Sequence, residues 1–181
     1  MPRYALSALG VDRPGIVAAV SGALVELGCN LEDSTMTILQ GHFAILLVVS
    51  AGTGVSAETL ERALDPVARR FELVTSVRSI GEPEAPTATA ADAEPWTIAV
   101  HGADRTGIVH GMCSTLAEAG GNVVDLATHL VGTSDAPVYV MTLRVTLPAG
   151  EAGVQGAERL RAAAEDLGVH CTVHPDDADA L

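Results

Sequence analysis

The sequence predicts an α+β protein made of two small domains, each in the order βαββαβ. Four observations predict it. An eight-residue stretch occurs twice, as GVDRPGIV at 10–17 and GADRTGIV at 102–109. Aligned from these starts, residues 10–33 and 102–125 are identical at eleven of 24 positions, far more than unrelated segments share. The offset of 92 residues is too long for a solenoid repeat and fits a whole small domain. Finally, the hydrophobic pattern after each turn changes from strand to helix period in the same order.

In the first copy, RYALSAL (3–9) is a β-like run. After the turn, Ile16, Val20, Ala23, Leu24 and Leu27 recur at helical spacing. Pro14 suits a first helical position, where a missing N–H costs nothing, and Gly28 suits the helix end. LEDSTMTIL (31–39) and FAILLVVS (43–50) flank the tight turn QGH and read as a hairpin. SAETLERALDPVARR (56–70) places Leu60, Ala63, Leu64 and Val67 on one helical face, and FELVTSVRS (71–79) follows as a last strand. The second copy repeats the order: WTIAVH, a helix through Ile108, Met112, Leu116 and Ala119, a hairpin (123–131 and 138–146), a helix near 151–166 and a strand near 168–174. Its hairpin loop, GTSDAP, reads as longer than its counterpart. This order is the split-βαβ, or ferredoxin-like, unit. The expected layout is domain 1 at 1–80, a linker at 81–95 rich in Pro, Ala and acid, domain 2 at 96–174, and an acidic, frayed tail at 175–181. FAILLVV is apolar on both faces, while helices cover only one face of a four-stranded sheet. The two antiparallel sheets are therefore expected to pack together, within a homodimer.

Composition excludes several functions. The net charge is −13, the ten basic residues are all Arg, and only Arg69 and Arg70 are adjacent. That is no surface for direct nucleic-acid binding, which needs clustered cations. No apolar run approaches the length of a membrane span, and the start lacks a signal pattern. Cys29, Cys113 and Cys171 form an odd set without a CxxC pair and read as reduced thiols in a cytoplasmic protein. The six His show no metal-ligand spacing on a helix; His170 and His174 fall in the terminal strand and tail. Neither a metal nor a cofactor is expected. His101, at a strand end beside the second turn, either lines a pocket there or hydrogen-bonds to backbone. Cys113 reads as a small buried hydrophobe rather than a nucleophile. Glu32 and Asp33 are adjacent on a strand, point to opposite faces and cannot form an acid/base pair. An acylphosphatase-like hydrolase would need a glycine-rich loop running into an Arg, which is missing.

The repeated turn closes strand 1 and opens helix 1. The first N–H groups of a helix lack partners and its dipole adds partial positive charge, so a carboxylate is favoured there. Gly15 and Gly107 leave room for close approach to the backbone. Asn30 and Asn122, after the helix, offer an amide that donates and accepts, or serve as αL caps. A carboxylate at the turn with an ammonium near Asn or Asp describes a free amino acid. The plainer alternative is that Asp and Gly only shape a strand-to-helix turn.

ALGVDRPGIV followed by LGCNLEDSTMTILQGHFAILLVVSAG resembles the ACT domain, a small amino-acid-sensing module, and in particular the tandem form found in the glycine cleavage system transcriptional repressor group. The likeness is detailed over 4–52 and weaker over 96–147. DRPGIV with GCNLEDS also resembles the regulatory domain of formyltetrahydrofolate deformylases. The resemblance implies a non-catalytic regulatory protein that binds a free amino acid (glycine, serine or similar), as a gene regulator, an enzyme regulator, or a detached deformylase-type module; given its net charge of −13, it is expected to act through a protein partner rather than on DNA. Ligand-binding positions carried over are Asp12, Arg13, Pro14, Gly15 and Ile16 with Asn30 and Leu31, and Asp104, Arg105, Thr106, Gly107 and Ile108 with Asn122 and Val123. ACT domains pair side by side, and the resemblance places each ligand between one turn and a facing domain.

Overall fold

The computed structural model describes residues 1–81, 92–133 and 136–176. The chain divides into two compact units, each an α+β domain. The first runs β1 (Arg3–Val11), α1 (Ile16–Glu26), β2 (Asn30–Leu39), β3 (His42–Ser50), α2 (Ala57–Phe71) and β4 (Val74–Ile80). The second runs β5 (Ala93–Ala103), α3 (Ile108–Glu118), β6 (Asn122–Thr133), β7 (Ala136–Pro148), α4 (Glu151–Asp166) and β8 (His170–Pro175). The βαββαβ order is thus realised twice. Each unit has one four-stranded antiparallel sheet, ordered β2-β3-β1-β4 and β6-β7-β5-β8.

Strand alternation decides which face is covered. In the first unit Tyr4, Leu6 and Ala8 of β1 and Phe43, Ile45, Leu47 and Val49 of β3 are buried with Ile16, Val20 and Leu24 of α1 and Leu60 and Leu64 of α2. Ile98, Val100, Met141, Leu143 and Val145 do the same with Ile108, Met112, Leu116 and Leu160 in the second. On the other face of β3, Leu46 is 48% exposed. The edge strand β2 is exposed along all ten residues, including Leu31, Met36, Ile38 and Leu39.

Several boundaries differ from those the sequence suggests. α2 extends to Phe71, which continues the buried stripe of Leu60 and Leu64, and Glu72 then turns the chain in the left-handed region (φ 57°). The last strand of that unit therefore starts at Val74 and not at Phe71. β5 begins at Ala93, inside the expected linker, because Ala93–Pro95 pair with Thr146–Pro148 of β7. Pro175, the first residue of the expected tail, ends β8, and Asp176 is held to β5 by the Thr97 hydroxyl (2.6 Å) and by donating its N–H to the Pro95 carbonyl (2.9 Å). The rest of the expected linker and tail, 82–91 and 177–181, lies outside the described residues. The second hairpin gains strand rather than loop: Gly132 pairs with Pro137 and Thr133 with Ala136. Pro14 is not the first helical residue, since helix α1 starts two positions later.

Candidate functional site

The repeated turn owes its shape to one glycine. Gly15 has φ 95° and ψ −4°, and the Ile16 N–H points to the Arg13 carbonyl (3.5 Å). These are the features of a type II turn, in which the third position needs positive φ and Pro favours the second. Pro14 occupies that second position. Gly107 repeats the geometry (φ 96°, ψ −7°) with Thr106 before it. Gly28 and Gly120 (φ 66° and 75°) hold the αL position after α1 and α3, so Asn30 and Asn122 are left free to start strands.

Two ties fix the first turn, and one matches the second of them in the other unit. The Asp12 N–H donates to the Gly41 carbonyl at 2.9 Å, joining it to the β2–β3 hairpin. The Arg13 guanidinium pairs with Glu72, the residue that closes α2. In the second unit Arg105 lies against Gly168, which follows the end of α4: a Cβ added there would stand 2.7 Å from its Nη1. Both arginines thus set a cation at the negative end of a helix, an arrangement worth about 0.3–1 kcal/mol. This long-range role leaves no trace in the local sequence. One consequence can be measured. Glu72 holds a left-handed conformation at a side-chain cost of order 1 kcal/mol, whereas its exposed ion pair with Arg13 returns about 0–1 kcal/mol. Glu72→Gly is therefore expected to leave the melting temperature unchanged or raise it by a few degrees; a fall of more than about 5 °C, on the order of 1 kcal/mol, would show that the ion pair dominates.

No side chain caps α1 or α3, whereas Ser56 accepts a hydrogen bond from the Thr59 N–H to cap α2. The uncapped start of α1 opens on a concavity of about 290 Å³ lined by residues 12–18, with Met36 and Phe43 as its floor. The structure brings Asp12, Arg13, Pro14, Gly15 and Ile16 together there. It does not bring Asn30 or Leu31 to them. Those two line a neighbouring groove of about 380 Å³ between α1 and strands β2 and β3, which shares Val17 and Met36 with the first. The reason is helix length: the turn and Asn30 stand at opposite ends of the eleven residues of α1, about 16 Å apart along its axis. One amino acid cannot touch both within a single unit. Asn122 and Val123 stand in the same relation to the Asp104–Ile108 turn, at the far end of α3.

Other candidates resolve simply. His101 faces away from the helices and stacks on His170, its register partner on β8, with ring centres 5.2 Å apart. Cys113 is half-buried and burial raises its thiol pKa, as it does for Cys29 and Cys171. Glu32 sits at a bulge in β2, where hydrogen bonds from Arg3 and then Ser50 hold its carboxyl below the usual range. Among the described residues, no three His, Cys, Asp or Glu converge as metal ligands. None of their helices is long and apolar enough to cross a membrane.

Comparison with known proteins places this geometry. Residues 5–78 match the ACT domain. A UPF0237 protein of Methanopyrus kandleri is 37% identical over 68 residues, covering 35% of this chain and 76% of that protein. The glycine cleavage system transcriptional repressor of Escherichia coli K12 is 40% identical over 45 residues, 25% of this chain and 24% of that one. Over the whole length, the crystal structure of a protein described only as unknown, from Galdieria sulphuraria, superposes with a TM-score of 0.81 at 26% identity, covering 97% of this chain and 99% of that chain.

Proposed function

This chain belongs to the ACT domain family, and on that premise we propose that it is a non-catalytic regulatory protein whose repeated turns bind a free amino acid. The observation that carries the reading is the uncapped start of α1 opening on a concavity floored by Met36 and Phe43. The unpaired N–H groups take the ligand carboxylate, and the acidic side chain of Asp12 lies at the same concavity for the ammonium. The amide needed at the other end of the ligand comes from Asn30 or Asn122 of a second copy of the chain, because α1 holds a unit's own Asn too far away. The exposed strand β2, with Leu31, Met36 and Ile38 uncovered, supports such a facing arrangement in a homodimer.

A ligand shared by two copies of the chain stabilises their pairing and so alters affinity for a protein partner. With a net charge of −13 the protein acts on that partner and not on DNA directly. The match to the E. coli repressor supports control of glycine cleavage or amino-acid metabolism genes as the setting. The test is a thermal-shift screen over the twenty amino acids at millimolar concentration, followed by calorimetry. A ligand present at about 100 times its Kd is expected to add about 2.7 kcal/mol to stability. If no amino acid moves the melting temperature or gives heat, the reading is wrong.

A further inference from the structure

The two turns are duplicates in backbone but not in what lies beneath them. In the first unit the floor of the concavity is Met36 and Phe43. Phe43 pairs with Gly10 at the end of β1, and Met36 pairs with Ile45, two residues beyond Phe43. In the second unit the position opposite Gly102 is Tyr139, and the residue opposite Met141, two beyond Tyr139, is Thr128. Directly paired residues share a face of the sheet, and Gly102 alternates with the buried Ile98 and Val100 on the helix side. Thus a thioether in one copy is replaced by a hydroxyl in the other, and a phenyl ring by a phenol that carries a second hydroxyl.

The tyrosine is placed to use its hydroxyl. It is half-buried where Phe43 is 1% exposed. Burial first, and then the negative charge of Asp104 and the nearby Cys113, raise the pKa of its phenol. A tyrosine hydroxyl both donates and accepts hydrogen bonds, which a phenyl ring cannot do. Cys113 itself stands where the first copy has Ser21, 92 residues earlier.

We propose that the two turns select amino acids of different side-chain chemistry: an aliphatic side chain over Met36 and Phe43, and a hydroxyl-bearing one over Thr128 and Tyr139. The inference rests on the reading that the turns bind amino acids. An aliphatic ligand at the second turn strips water from two hydroxyls and gives them no partner, whereas a ligand hydroxyl pairs with them. A hydroxyl at the first turn loses its water and finds only carbon and sulfur. Discrimination is stronger at the second turn, because a site built to hydrogen-bond a hydroxyl rejects the analogue lacking it more firmly than an apolar site rejects an added hydroxyl.

Valine and threonine are the probes, being nearly the same size and differing by methyl against hydroxyl. Calorimetry on the full chain is expected to give one site per chain for each, with the two heats additive when both are present. Tyr139→Phe, which removes only the hydroxyl, is expected to weaken threonine binding about tenfold or more and leave valine unchanged. Adding Thr128→Met converts that site to valine, so valine then fills two sites per chain. Melting temperature confirms that each variant is folded. Equal filling of both sites by one probe overturns the inference. So does unchanged threonine affinity in folded Tyr139→Phe, or binding of other amino acids only; all three leave amino-acid binding standing. Absence of binding by every amino acid overturns both.

Discussion

Truncating Phe43 to alanine is expected to cost the first unit about 3–5 kcal/mol, the range for removing a buried aromatic ring. Phe43 is 1% exposed, lies in the cluster that joins β1 and β3 to both helices, and also forms the floor beneath the turn. Because the space it would leave opens on that concavity, water can enter, and the loss falls towards the lower end of the range. For a unit of this size each kcal/mol corresponds to about 4–8 °C of melting temperature, so the first unit should melt well ahead of the second. Calorimetric scanning of the variant should split into two transitions where the units unfold independently. A loss below about 1 kcal/mol would mean that the ring is peripheral to the core. Ligand binding at the first turn should vanish with the unit, while the second turn keeps its own.

The element order was legible because local pattern and packing agree in most of the chain. Ile16, Val20 and Leu24 advertise a helix face in sequence and are all buried in the structure. The boundaries that escaped are those set by distant partners. Ala93–Pro95 have linker composition and become strand only because β7 extends to Pro148 alongside them. Phe71 has strand propensity, yet its register with Leu64 on α2 keeps it helical. At the candidate site what depends on local sequence was readable and the long-range ties were not. Asp12 to Ile16 do gather around one concavity, as a contiguous segment must. Their separation from Asn30 follows from the length of α1, a quantity the sequence already contained. By contrast, the ties from Arg13 to Glu72 and from Arg105 to Gly168 join residues about sixty apart and needed the fold to be seen. The difference between Phe43 and Tyr139 was hidden differently, because it emerges only when strand register aligns the two copies past their unequal hairpins.

Valine at Gly15 or Gly107 is expected to produce the largest change in the turn itself. Both glycines have φ near 95°, a region that a β-branched side chain enters only under strain of about 1–3 kcal/mol. Space is not the issue. A Cβ at Gly107 would meet nothing within 4 Å, and one at Gly15 would meet only Phe71 Cζ at 3.8 Å. The loss is therefore a backbone cost, and the two variants should lose similar stability in their own units. Binding should fall further than stability alone accounts for, because the chain relieves the strain by rotating the peptide that presents the first N–H groups of the helix. Asparagine tolerates positive φ at the third turn position and separates the two effects. Gly15→Asn is expected to recover most of the melting temperature while its side chain still stands over the uncapped helix start and blocks a ligand carboxylate. Folded Gly15→Asn that binds amino acids as well as the parent would show the opposite: the eight-residue stretch recurs only because each unit needs the same type II turn between its first strand and its first helix.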